Sequence, residues 1–295
     1  MDMDRDGLKS LPQNRLLRGA YLMVQRYLRH NVAIQSASLA FYLLFMIFPF
    51  LIFISALLGL LHLNVEGILT GLSTILPKTV VELVEMYLNY VGENSDLRIL
   101  LFGLFFSIYF PMRATNTLMR AVRTAYHLGP PRGPFSHMLK TLLYTLLLIC
   151  AIALTMTLMT VGSVSLEFAV THLGLPAVAA DLWQKFRFPV AGLVAYFTLF
   201  ALYAMTQDSR QPGRNIYPGV LSSLIGWMVF SYLFSLYVEN IAHYSLLYGS
   251  IGTVMVVLAW LYMSATTLIM GAEFNGTLIS MRKDGGGEDT APLPR

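Results

Sequence analysis

The stretch that decides the fold lies at residues 37–61 and has the sequence ASLAFYLLFMIFPFLIFISALLGLL. Its 25 residues include no Asp, Glu, Lys or Arg. A helix needs about 20 apolar residues to cross a bilayer core about 30 Å thick. Because lipid cannot hydrogen-bond to the backbone, a spanning segment this long and uniform has to be helical. The stretch therefore predicts a transmembrane helix.

The composition of the whole chain agrees with a membrane protein. Of its 295 residues, 56% are hydrophobic and 12% are charged, and the mean hydropathy is +0.62. These values are typical of polytopic membrane proteins and exclude a large soluble domain. We predict an all-α polytopic membrane protein with six transmembrane helices, near residues 37–61, 97–118, 139–163, 188–206, 218–239 and 251–279.

The basic residues are distributed unevenly between the two sides of the predicted membrane. The two termini and the connections on their side hold sixteen Lys and Arg residues, whereas the opposite connections hold four. Cytoplasmic connections carry the excess of positive charge in membrane proteins. We therefore predict that both the N-terminus and the C-terminus are cytoplasmic.

We divide the chain into three parts. Residues 1–35 are expected to form a cytoplasmic segment, residues 36–280 the six-helix transmembrane domain, and residues 281–295 a disordered cytoplasmic tail. Within the transmembrane domain, apolar residues recur at helical spacing on both sides of Pro77. This pattern predicts a small helical cap over residues 62–98 on the outer side.

Residues 14–30 have the pattern of an amphipathic helix. At about 100° per residue, one narrow arc holds Arg15, Arg18, Arg26 and Arg29. The opposite arc holds Leu17, Tyr21, Val24 and Leu28. We expect this helix to lie at the cytoplasmic lipid surface, with its four arginines against anionic head groups. The alternative is a helix packed on the protein's own cytoplasmic loops.

Polar side chains line one face of two predicted spans. The face on the second span comprises Arg113, Asn116, Arg120 and Arg123. The face on the last span comprises Tyr262, Thr266, Glu273 and Thr277. Ionisable residues in the hydrocarbon are costly and usually functional. Since both spans run from outside to inside, we expect Arg113 and Glu273 at similar depth, where they could pair.

These residues predict a polar substrate site that opens to the cytoplasm. Its members are Arg113, Asn116, Tyr262, Glu273 and Asn275. Arg113 would receive an anionic group, and Glu273 would balance its charge or carry a proton. The alternative is structural: Arg113 snorkels to the interface, and Glu273 only orients helices. Pro49 and Pro111 are expected to kink their helices, because proline removes a backbone hydrogen bond.

Signals of enzymatic chemistry are poor. The six histidines are scattered along the chain without metal-ligand spacing, and the one cysteine, Cys150, lies in an apolar run. The sequence has no phosphate-binding glycine loop and no Gly-x-Ser-x-Gly elbow. We predict no catalytic residue, no metal and no cofactor, and we expect no binding to nucleic acid.

Several short motifs recur in a fixed order along the chain. The first span holds SASLAFY at residues 36–42 and FPF at residues 48–50. The C-terminal half holds PG at 218–219, SLY at 235–237, YGSIG at 248–252, LAWLY at 258–262 and GAEFN at 271–275. Together these motifs resemble those of the YihY/BrkB family of bacterial inner-membrane proteins, and the resemblance covers about residues 15–280. It implies six transmembrane helices with both termini inside, and a largely uncharacterised family that carries a virulence-factor label and was once confused with a ribonuclease.

The leading hypothesis is a transporter or lipid-handling protein of the bacterial inner membrane. Its substrate would be amphipathic or anionic, and its expected partners are anionic membrane lipids. The alternative hypothesis is a non-transporting scaffold or envelope assembly factor, whose outer cap over residues 62–98 binds an envelope partner.

Overall fold

The structure is a computed structural model. It describes residues 15–61, 97–131, 133–172, 177–207, 215–240 and 244–285, together with 69, 81–82 and 85–86. Within these residues the chain forms helices joined by short connections and contains no strand. The helices are α1 (Arg15–Arg29), α2 (Val32–Leu61), α3 (Leu97–Ala125), α4 (Pro134–His172), α5 (Ala177–Met205), α6 (Tyr217–Asn240) and α7 (Tyr244–Gly285).

Six of these helices, α2 to α7, are long and apolar enough to cross a membrane. The all-α fold with six spans is thus confirmed. Only 17–22% of the most apolar window of each span is buried inside the protein. The remaining apolar surface needs an apolar surrounding, which a bilayer provides.

The chain divides into two compact units. Unit 1 comprises Met1–Ala40, Thr117–His137 and Phe200–Arg295. Unit 2 comprises Phe41–Asn116 and Met138–Leu199.

In unit 1, α6 and α7 pack closely because small residues face each other. A methyl group added at Gly219 would overlap the carbonyl oxygen of Gly271, and one added at Gly271 would lie 2.9 Å from the Cβ of Ser223. Small residues let membrane helices approach to backbone contact. A hydrogen bond of 3.1 Å from Trp227 Nε1 to Ser264 Oγ joins the two helices further along.

Also in unit 1, α1 packs on α7. Asn31, between α1 and α2, has a φ of 51°. Asn adopts this left-handed conformation more readily than most residues, so it suits the end of a helix. The apolar arc of α1 points away from the protein, since the exposed side chains include Leu17, Tyr21, Val24 and Leu28. The helix thus turns its arginine side towards α7.

The connection from α3 to α4 is irregular, as its prolines and glycines predict. Arg123, at the end of α3, is buried and joins this connection to the end of α5. Its Nε and Nη2 donate to the carbonyl oxygen of Gly129 at 3.0 and 2.5 Å, and its Nη1 donates to that of Thr206 at 2.9 Å. Backbone carbonyls therefore hold this arginine in a structural role.

In unit 2, α4 and α5 are linked by a hydrogen bond of 3.2 Å from the buried Tyr144 hydroxyl to the carbonyl oxygen of Thr198. Gly103 of α3 lies against the backbone of α2, because a methyl group there would come within 2.7 Å of the Phe53 nitrogen. The position thus requires glycine for close helix contact.

Three further sequence predictions concern the outer cap, the C-terminal tail and the two prolines in the spans. Most of the cap over residues 62–98 lies outside the described residues. Helix α7 continues to Gly285, so the predicted tail is helical at its start, and residues 286–295 lie outside the description. Pro49 and Pro111 lie inside α2 and α3, which continue through them.

Candidate functional site

Among the Asp, Glu, Lys, Arg and His residues that the structure describes, the most buried is Glu273 on α7, which is 1% exposed. Its two oxygens have different cationic or titratable partners on or next to α1. Oε2 lies 3.3 Å from Nη1 of Arg26, and Oε1 lies 2.6 Å from Nδ1 of His30. A buried carboxylate has to be compensated in this way, because burial without a partner is very costly.

Arg26 extends this contact into a larger cluster. Its Nη1 also donates to the carbonyl oxygen of Ala125 at 3.1 Å. Its Nη2 donates to the carbonyl oxygen of Gly276 at 3.2 Å and to Ser280 Oγ at 2.8 Å. The guanidinium thus joins α1 to α7 and to the end of α3. We call Arg26, His30, His127, Glu273 and Ser280 the Glu273 cluster.

The two histidines of the cluster have defined hydrogen-bonding roles. Nη2 of Arg26 lies 3.2 Å from Nε2 of His127. Since a guanidinium can only donate, His127 accepts through Nε2 and carries its proton on Nδ1. An ionised carboxylate can only accept, so His30 donates from Nδ1 whenever Glu273 carries its charge. The two imidazole rings meet edge to face at 5.5 Å.

These contacts bear on two predictions. Oε2 and Oε1 of Glu273 lie against Arg26 and His30, which the sequence did not indicate as its partners. The pairing of Glu273 with Arg113 stays a prediction. The expectation that Arg26 faces lipid head groups is wrong, because Arg26 is buried at 8% exposure and pairs with the Glu273 carboxylate.

The other arginines of α1 differ from Arg26. Arg29 is exposed, and Arg18 is half-buried. The side chain of Arg15 lies outside the described part of the chain. Their contact with lipid head groups stays a prediction.

Asn275, a predicted substrate residue, is fully used inside unit 1. Its Oδ1 accepts from the Gly219 nitrogen at 2.6 Å, and its Nδ2 donates to the Ile216 carbonyl oxygen and to the Tyr126 hydroxyl at 2.8 Å each. The first turn of α6 has unpaired N–H groups, and Asn275 satisfies one of them. Burial raises the pKa of Tyr126, which keeps its hydroxyl protonated. This arrangement indicates a structural role for Asn275.

Tyr262, another predicted substrate residue, contacts α1. Its hydroxyl hydrogen-bonds with that of Tyr27, and this bond raises the pKa of Tyr27. Tyr262 is half-buried. It therefore belongs to the contact between α1 and α7, about three helical turns from Glu273 along the axis.

Arg113 and Asn116 belong to α3 in unit 2. Arg113 is exposed, and its Nη2 donates to the Tyr42 hydroxyl at 3.2 Å. Its Cζ lies 5.5 Å from the centre of the Tyr42 ring, within the range of a cation–π contact. Asn116 is half-buried. The Tyr42 ring of α2 thus contacts the Arg113 guanidinium, which lies on the exposed surface of α3.

The sequence analysis does not single out His30, His127 or Ser280 as site residues. His30 lies four residues after Arg26 and so shares its helical face, a signal that could have identified it. Ser280 follows Glu273 by seven residues, again on one face. No comparable signal marks His127, which has a φ of 52° after the end of α3. Among the described residues, no group of three His, Cys, Asp or Glu side chains could hold a metal ion.

Comparison with known proteins identifies the family. A family model described as Virulence factor BrkB matches residues 23–293. The chain belongs to this family. The resemblance in the first span and the C-terminal half is thereby confirmed.

The chain is similar to several proteins of the BrkB family and of UPF0761. It is 29% identical over 261 residues to the ribonuclease-like protein YfkH of Bacillus subtilis (strain 168), covering 88% of this chain and 95% of that protein. It is 24% identical over 279 residues to a UPF0761 membrane protein of Chromohalobacter salexigens, covering 91% of this chain and 65% of that one. A UPF0761 membrane protein of Pseudomonas aeruginosa (strain LESB58) is 35% identical over 94 residues, which are 32% of this chain and 22% of that protein. No solved structure matches the chain.

Proposed function

We propose that this BrkB family member is a transporter or lipid-handling protein of the bacterial inner membrane, with an amphipathic or anionic substrate. The observation that carries the proposal is the Glu273 cluster. Buried ionisable residues in membrane helices are rare, and they mark ion, proton or substrate pathways. Here the carboxylate holds a peripheral helix, α1, against a span, α7.

The Glu273 cluster provides a means of switching α1 between a state docked on α7 and a state released from it. Protonation of Glu273 would remove the charge that compensates Arg26, and the buried guanidinium would then lose its ionic partner. Release of α1 from α7 would let Arg26 return to water or to anionic head groups. The charge on Glu273 would in this way set the position of α1, as a switch requires.

In this proposal Arg113 binds the anionic group of the substrate. Asn116 is a polar neighbour of Arg113 on the same face of α3. An exposed guanidinium on a span attracts negative groups from the surrounding lipid. Tyr262 and Asn275 support the α1–α7 and α6–α7 contacts. No catalytic residue, cofactor or nucleic acid takes part in this role, and anionic lipids are the expected partners.

The test is lipid redistribution in reconstituted vesicles. Wild-type protein and a Glu273→Gln variant are compared by the rate at which a fluorescent phosphatidylglycerol becomes accessible to dithionite. Glutamine keeps the shape of the side chain and removes its charge, so we expect the variant to fold but to lose most of the rate. Glu85→Gln, which removes an exposed carboxylate, should retain it.

Thermal unfolding of each variant in detergent shows whether folding is preserved. A folded Glu273→Gln protein with the wild-type rate would exclude the proposal. If changes within residues 62–98 abolished function and Glu273→Gln did not, the scaffold alternative would replace it.

A further inference from the structure

One face of α3 combines aromatic and polar side chains in a fixed order. The spacing of four, three, four and three residues places Phe102, Phe106, Tyr109, Arg113 and Asn116 within one narrow arc. The aromatic residues come first along the helix, and the polar ones follow. All five belong to unit 2.

The aromatic residues form a continuous ladder. The ring centres of Phe102 and Phe106 are 4.6 Å apart, and those of Phe106 and Tyr109 are 6.2 Å apart. Phe102 is 53% exposed and Tyr109 is 41% exposed, so the ladder is accessible from the surface. Between Phe102 and Arg113 the helix rises about 16 Å at 1.5 Å per residue. This is close to half of a bilayer core about 30 Å thick, the length that one acyl chain occupies.

The guanidinium at the end of the ladder is held in place from α2. The hydrogen bond and the cation–π contact with Tyr42, given above, orient Arg113 on an exposed surface. Phe45 of α2 extends the aromatic surface, because its ring centre lies 5.9 Å from that of Phe110. The surface is therefore apolar over most of its length and positively charged at one end.

The position of Arg113 along α3 is unusual for a span. The nearest charged residue towards the start of the helix is Arg98, so residues 99–112 are free of charge. These residues rise about 21 Å at 1.5 Å each, some 9 Å less than the bilayer core. Arg98 and Arg113 can both be accommodated by snorkelling of their side chains, by local thinning of the bilayer, or by an anion drawn inwards to Arg113. The hydrogen bond and the ring contact with Tyr42 hold the Arg113 guanidinium on its span, which favours the anion.

We infer that Arg113 and Tyr42 bind the phosphate of a membrane phospholipid, one of whose acyl chains lies along Phe102, Phe106 and Tyr109. The site deepens the proposed function, on which it rests, by naming the substrate class. Arg113 supplies the ionic contact and Tyr42 the orientation. The aromatic ladder extends about as far as one acyl chain, so the site fits a lipid better than a free anion.

Native mass spectrometry of the purified protein in detergent tests the assignment. The probes are phosphatidylglycerol and a diacylglycerol of the same chains, which lacks the phosphate. We expect the diacylglycerol to bind about tenfold more weakly, and Arg113→Gln to weaken phosphatidylglycerol binding by a similar factor, as loss of one charge-assisted contact implies. Arg98→Gln removes an exposed charge at the other end of the same run and should leave binding unchanged.

The Arg113→Lys variant and competition with inorganic phosphate add two further tests. Arg113→Lys keeps the charge and should retain part of the affinity, which distinguishes a lost contact from a misfolded protein. Equal binding by wild type and Arg113→Gln would overturn the inference, and so would displacement of the lipid by millimolar inorganic phosphate. Loss of binding in Arg113→Gln with an unchanged redistribution rate would confirm the lipid site but exclude it as the substrate site, while leaving the role of Glu273 intact. Binding that depends on Arg113 in a protein without redistribution activity would support the site and reject transport.

Discussion

At the scale of single residues, the main lesson concerns Arg26. Its position in the sequence resembles that of Arg29, three residues later, since both lie on the same arc of α1. The structure nevertheless buries Arg26 and leaves Arg29 exposed. The difference comes from Glu273, whose carboxylate lies within 3.3 Å of Arg26 and 247 residues away along the chain. Helical periodicity identifies a shared face, but it cannot identify a partner so distant.

The pairing of Arg26 with Glu273 leads to a stability prediction. Arg26→Met leaves a buried carboxylate without its ionic partner, so we expect the free energy of unfolding in mixed micelles to fall by about 3–5 kcal/mol. The double variant Arg26→Met/Glu273→Met removes both charges and should recover most of that loss. Arg29→Met serves as the control and should have little effect. Additive losses in the double variant would contradict a direct ionic contact.

At the scale of elements, α1 shows what amphipathic patterning can and cannot predict. The arcs of apolar and basic residues predicted the helix, and the structure confirms it over Arg15–Arg29. The pattern did not settle which arc faces the protein. The apolar arc points outwards and the basic arc meets α7, because the protein surface here offers a carboxylate and carbonyl oxygens. An outward apolar arc is also what a helix at a lipid surface presents to acyl chains.

The contact of α1 with α7 predicts a strict requirement for glycine at position 276. A methyl group there would overlap the carbonyl oxygen of Ala125 and lie 2.7 Å from Arg26 Nη1. We expect Gly276→Ala to lower the free energy of unfolding by roughly 1–3 kcal/mol, as overpacking does. Gly192→Ala is the matched control, since no heavy atom lies within 4 Å of its added methyl group. Thermal unfolding of both variants in detergent gives the comparison, and equal melting temperatures would count against the packing described.

At the scale of the whole molecule, the sequence was most informative. Charge-free runs and mean hydropathy depend only on local composition, so they predicted six spans that the structure contains. The polar residues of the candidate site were harder to predict. Asn275 looked like a substrate residue by its position on a span, but its three hydrogen-bond partners come from two other parts of unit 1. Such assignments require the packing of helices that are distant in sequence.

The excess of basic residues predicts the topology of the molecule. Because sixteen of the twenty Lys and Arg residues lie on the side of the two termini, both termini should be cytoplasmic. Fusions of green fluorescent protein to either end should fluoresce, and fusions of alkaline phosphatase to either end should be inactive. A pair of fusions that placed the two ends on opposite sides would contradict the six-span arrangement.

The separation of Arg26 and Glu273 also has a consequence for biosynthesis. At about 5–20 residues per second, a ribosome needs on the order of ten to fifty seconds to extend the chain from Arg26 to Glu273, which is 247 residues further on. During this interval α1 has already emerged, and its future partner has not been made. A nascent chain that ends before codon 273 therefore leaves α1 undocked. Docking of α1 on α7 thus shows that translation has passed residue 273, and an undocked α1 would let proteases recognise chains that are still incomplete.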